Sequence, residues 1–93
     1  MNTLYVGDVG TKLIIDIGIS ADDVTEAKII VKKPNGSIVE WNALPISGTQ
    51  TVEYIIQNGD LDLAGKYTIQ VYIDTGSWQG HGTPDTFFVN PII

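Results

Sequence analysis

Tyr67, Ile69, Val71 and Ile73 alternate with Lys66, Thr68, Gln70 and Tyr72. A period of two sustained over eight residues marks a half-buried strand, apolar on one face and wet on the other. An acidic turn containing Asp60, Asp62, Ala64 and Gly65 precedes it. A Tyr that opens a strand just after such a turn has the sequence form of a tyrosine corner. In that device the phenol hydrogen-bonds back to the backbone and pins the turn. The feature predicts a small all-β interaction module rather than an enzyme.

Composition narrows the class. The chain has 93 residues, enough for one domain. A domain of that size buries only about two-thirds of its unfolded surface, so its core is modest. With 43% hydrophobic and 17% charged residues it is expected to be neither disordered nor membrane-spanning. A net charge of −6 and an isoelectric point near 4.3 argue against nucleic acid and against anionic membrane surfaces. There is no Cys, so packing alone must hold the fold, which suits a chain made in a bacterial cytoplasm. Polar Asn2 and Thr3 follow Met1, and no signal peptide is expected.

Short apolar runs separated by turn residues fill the rest of the chain. Strands are predicted at residues 3–6, 12–17, 26–32, 37–42 and 50–57, in the run that Tyr67 opens, and at 86–89. Residues 20–23 read as a single helical turn or a loop. Pro34, Asn35 and Gly36 form a hairpin turn, with Pro34 presetting φ and Gly36 taking the left-handed conformation of a bulge. Residues 75–82 read as a Gly-rich loop or kinked ribbon. About seven short antiparallel strands at regular spacing predict an immunoglobulin-like β-sandwich over residues 1–90, followed by a short tail at 91–93. Alternation assigns Leu13, Ile15, Ile29, Val31, Val52, Tyr54, Ile56, Tyr67, Ile69, Val71 and Ile73 to the core. Val39 and Trp41 join them, with one of Phe87 and Phe88.

No catalytic constellation is legible. His81 is the sole histidine and sits between Gly80 and Gly82, without a nucleophile motif or metal-ligand spacing. Asp8, Asp22, Asp23, Asp60, Asp62, Asp74 and Asp85 lack the spacing of a calcium loop and read as turn and surface charge. Asn35-Gly36-Ser37 matches a glycosylation acceptor but reads as the hairpin turn. Gly76, Gly80 and Gly82 do not lead from a strand into a helix, so no phosphate cradle is expected. The expectation is a protein without enzymatic activity, cofactor or metal.

Outward apolar residues point to a protein interface. Parity turns Ile30 and Tyr72 outward on neighbouring strands, beside whichever Phe is not in the core. Trp78 has two open readings: it covers the end of this patch, or it folds back and closes a satellite core. Ile92 and Ile93 in the tail pack on this domain or dock on a neighbour. Tyr67, Gly65, Gly36 and Pro34 carry structural roles.

Several segments together resemble a known family. They are Leu4-Tyr5-Val6-Gly7-Asp8-Val9-Gly10-Thr11, Ala27-Lys28-Ile29-Ile30-Val31-Lys32-Lys33-Pro34-Asn35-Gly36, Val39-Glu40-Trp41, Gly59-Asp60-Leu61-Asp62-Leu63-Ala64-Gly65-Lys66-Tyr67 and Trp78-Gln79-Gly80-His81-Gly82. They look like a set of small tailed-phage virion proteins, and the middle part is similar to the N-terminal immunoglobulin-like domain of phage baseplate upper proteins. The resemblance implies a non-enzymatic structural subunit of the virion, in the tail, baseplate or fibre region. Its partners would be other phage structural proteins or further copies of itself. The pattern ends directly after the sandwich, which favours a connector or accessory role over receptor binding. A capsid decoration protein is the nearest alternative. A carbohydrate-binding or adhesin module using Trp41, Trp78 and Tyr72 is the next.

Overall fold

The computed structural model describes residues 3–93. The chain is all-β apart from one 3-10 turn, η1 (Ala21–Asp23). Its strands are β1 (Leu4–Tyr5), β2 (Lys12–Asp16), β3 (Glu26–Lys32), β4 (Ile38–Pro45), β5 (Thr51–Ile55), β6 (Gly65–Asp74), β7 (Gln79–His81) and β8 (Asp85–Asn90). They join in the order β1-β8-β6-β3-β4-β5-β2, with β7 also on β6.

β4 curls this sheet into two layers. Residues 38–43 pair with β3, whereas Leu44 and Pro45 pair with Glu53 and Val52 of β5. A strand that changes partner along its length carries the chain from one packed layer to the other. The predicted fourth strand ended at Asn42. The observed one runs on to Pro45, because Ala43 still pairs with Ala27 and Leu44 and Pro45 pair with β5; Pro45 stands at the strand end, where a missing N–H is tolerated.

The pairing is mixed rather than wholly antiparallel. β1 runs parallel to β8, with Leu4 opposite Val89 and Tyr5 opposite Asn90. The predicted Gly-rich ribbon is a broken return strand. β7 and β8 both lie against β6, at Tyr72–Asp74 and Gly65–Ile69. Gly82 bridges the break by donating its N–H to the Val71 carbonyl at 2.9 Å.

The core lies between the layers. Leu13, Ile29, Val31, Trp41, Val52, Ile56, Tyr67, Ile69, Val71 and Ile73 are buried, as alternation predicts, while Ile15, Val39 and Tyr54 are half-buried. Phe87 faces the core and stacks on Tyr67 at 5.2 Å between ring centres; Phe88 is the outward one, 65% exposed. Trp41 stacks on Tyr54 at 4.8 Å. Leu4, Ala27, Ala43, Leu61 and Val89 complete the core.

One end of β6 is built as a corner. The Tyr67 hydroxyl donates to the Leu63 carbonyl at 2.8 Å and accepts the Leu63 N–H at 3.2 Å. The β3–β4 hairpin docks there. Its Gly36 N–H donates to the Lys33 carbonyl at 2.9 Å and the Lys33 N–H to the Ser37 carbonyl at 2.8 Å, with Gly36 at φ 87°. Pro34 packs on Gly65, whose φ of 129° and lack of a side chain permit the approach. Lys33 Nζ donates to Asp62 at 2.7 Å.

Candidate functional site

The structure does not gather the predicted interface residues into one patch. Ile30 and Tyr72 are half-buried diagonal neighbours on the outer face of the larger layer. Polar side chains stand beside them on that face, which also exposes Tyr5, Ile38 and Phe88. Ile30 lies between Gln70 and Glu40, Tyr72 beside Lys28, and exposed Phe88 opposite Lys66. Tyr72 leans on His81 at 5.3 Å between ring centres.

Trp78 lies on the other face of β6. Its indole lies beneath Gly80 and borders a groove of about 390 Å³ lined by Ile15, Ile17, Val71 and Ile73. The reason is the turn before β7. Thr75 binds Trp78 through its N–H to the Trp78 carbonyl at 2.9 Å and its hydroxyl to the Trp78 N–H at 3.2 Å. The ring thereby folds back over the mouth of the core, though it remains 53% exposed. Trp41, at 5% exposure, is a core residue. The three aromatic residues considered for sugar stacking therefore form no common platform. Ile92 and Ile93 project from the end of β8 and are exposed.

A different apolar cluster emerges on the outer face of the smaller layer. Ile14 and Leu44 flank Glu53 from either side, and Ile55 lies diagonal to both. Their exposures are 59%, 66% and 44%. Lys12 reaches Glu53 at 3.7 Å across the same face. Sequence parity already turned Ile14 and Ile55 outward, since Leu13, Ile15, Tyr54 and Ile56 point in. Leu44 was out of view because the fourth strand was read three residues short.

Three titratable side chains are clearly shifted. Burial, reinforced by a hydrogen bond to Asp60, pushes the Tyr54 phenol well above its usual value. Burial likewise raises the Tyr67 phenol. The Lys33 ammonium holds the Asp62 carboxyl below the usual carboxylate range. Each is a group fixed by packing or pairing at a turn. Among the described residues no group of three or more His, Asp or Glu side chains is placed to hold a metal ion, and no helix is long and apolar enough to cross a membrane. Comparison with protein-family models, with curated proteins and with solved structures gives no match.

Proposed function

We propose that this chain is a non-enzymatic structural module of a tailed-phage virion, an immunoglobulin-like sandwich that assembles with other virion proteins in the tail, baseplate or fibre region. Two features support the sandwich: the passage of β4 from one layer to the other and the Tyr67 corner. The observation that carries the assembly role is the cluster of Ile14, Leu44 and Ile55. Grouped exposed aliphatics on a small domain mark a protein contact more often than a chance exposure. The virion assignment itself rests on the resemblance of the Lys33–Gly36 hairpin, the Ala64-Gly65 corner and the flanking segments to small phage proteins.

Immunogold labelling of purified virions of the encoding phage tests location. Label on the tail or baseplate supports the proposal. Label on the head favours the decoration role, and unlabelled virions overturn both. Leu44→Ser with Ile55→Ser tests the surface. Incorporation should fall about tenfold or more, a modest loss for two aliphatic contacts. Parental incorporation of a variant that circular dichroism shows to be folded removes this face from the interface.

A further inference from the structure

Strand β2 is an edge with a self-complementary pattern. It pairs only with β5, in the register Lys12–Ile55 through Asp16–Thr51. Just outside the strand, the Ile56 N–H donates to the Thr11 carbonyl at 2.8 Å and the Ile17 N–H to the Gln50 carbonyl at 2.9 Å. In an antiparallel ladder hydrogen-bonded pairs alternate with unbonded ones. The odd residues Thr11, Leu13, Ile15 and Ile17 thus bond inward to β5. The backbone N–H and C=O groups of Lys12, Ile14 and Asp16 point to the open edge, where no backbone partner meets them among the described residues.

Those same residues carry the outward side chains. Their order is cation, aliphatic, anion, with the charges two residues either side of Ile14. An antiparallel pairing of β2 with a second β2 about a two-fold axis at Ile14 places Lys12 opposite the other copy's Asp16, twice. Ile14 meets its own counterpart, and Leu13 faces Ile15. All three open N–H and all three open C=O groups of each copy find partners in that register. Registers that align Lys12 with Lys12 or Asp16 with Asp16 set like charges opposite each other, which is destabilising. An edge lysine ordinarily discourages such pairing. Here the register neutralises it. Two of the usual guards are missing: β2 contains no Pro, and its inward residues, Leu13 and Ile15, are apolar.

We propose that β2 is the interface for a second copy of this chain, joined edge to edge with Ile14 on the two-fold axis. The pairing would fuse the two smaller layers into one continuous sheet and bring both Ile14, Leu44, Ile55 clusters to one surface. It concerns the isolated chain and stands or falls apart from the virion assignment.

Sedimentation velocity of the full chain at low salt and rising concentration tests it, with charge variants. The parent should dimerise. Lys12→Asp and Asp16→Lys should each weaken self-association at least tenfold, because each makes the edge uniformly acidic or uniformly basic. Mixing these two variants should restore a dimer, and the double exchange should restore self-association. Asp16 also accepts the Gly18 N–H at 2.8 Å, so circular dichroism must show that Asp16→Lys is folded; Lys12→Asp leaves that bond in place. The register has its own test. Hydrogen-bonded antiparallel pairs hold their Cα atoms about 5.5 Å apart, within disulfide reach. In this Cys-free chain, Ile14→Cys should therefore oxidise to a covalent dimer faster than Ile38→Cys, an equally open control. A parent that stays monomeric at NMR concentrations overturns the proposal. So does a dimer indifferent to both charge variants, or equal oxidation of the two cysteine variants.

Discussion

The two ends of β6 solve the same packing problem in opposite ways. At each end a ring lies over a glycine. At Gly65 a built Cβ would stand 3.0 Å from the ring of Pro34, on a backbone at φ 129°. At Gly80 it would stand 2.3 Å from the far edge of the Trp78 indole, with no positive φ. The second contact is closer on paper but softer in consequence. A proline ring is tied to its own backbone, and that backbone is held in a hydrogen-bonded hairpin. A half-exposed tryptophan can swing into water. The corner end is therefore fixed by covalent and hydrogen-bond geometry, and the Trp78 end by a side chain resting over a groove.

Removing the aromatic core of the corner should cost most. Tyr67→Ala deletes a fully buried ring and its stack on Phe87, which predicts a loss of about 3–5 kcal/mol. Tyr67→Phe keeps the ring and removes only the hydroxyl that serves both Leu63 backbone groups, for about 1–3 kcal/mol. Chemical denaturation reads both. A Tyr67→Phe midpoint equal to the parent's would show that the corner hydrogen bonds contribute no net stability. Trp78→Ala is the partner measurement at the other end. A loss as large as that of Tyr67→Ala would erase the contrast between them.

The glycine pair sharpens it further. Gly65→Ala should destabilise by about 1–3 kcal/mol, since a Cβ there meets both a disfavoured φ and a fixed ring. Gly80→Ala should cost less than about 1 kcal/mol, in line with most surface changes. Its signature should be spectroscopic: the displaced indole becomes wetter, and tryptophan emission shifts to the red. A large stability loss without that shift would mean the indole is as firmly held as Pro34.

How far the sequence foretold these ends follows from the kind of information each needs. Alternation along 66–73 is local, so it located β6, its buried face and the corner tyrosine. The Pro34-Asn35-Gly36 turn is local too, and Gly36 lies where that chemistry requires. Ile30 and Tyr72 lie together on the outer face, as parity implies, but what surrounds them needed register. Pairing with β3 and β8 sets Lys28 and Lys66 beside the outward aromatics, and no single strand reveals that. Trp78 needed the turn geometry at Thr75, which decides the face of β6 on which the indole lands. The parallel β1–β8 pair joins residues from opposite ends of the chain, beyond the reach of any local pattern.

The smallest effect, and the one with the clearest sign, belongs to the ion pair beside the corner. Lys33 Nζ sits 2.7 Å from Asp62 and holds that carboxyl below the usual carboxylate value. A folded-state value lower than the unfolded one, which lies near about 3.9, stabilises the fold at all higher pH. The contribution disappears as pH falls through the folded value, where both states bind the proton. The Asp62 side chain is 53% exposed, so solvent screens the pair and its worth at neutral pH is less than about 1 kcal/mol. Asp62→Asn should therefore be slightly less stable than the parent at pH 7. The gap should close in strong acid, and concentrated salt should shrink it at neutral pH. Denaturant midpoints of the two proteins across that range measure it directly. A gap of constant size from neutral pH into acid would show that Asp62 supports the corner through its hydrogen bond and shape, with no electrostatic share.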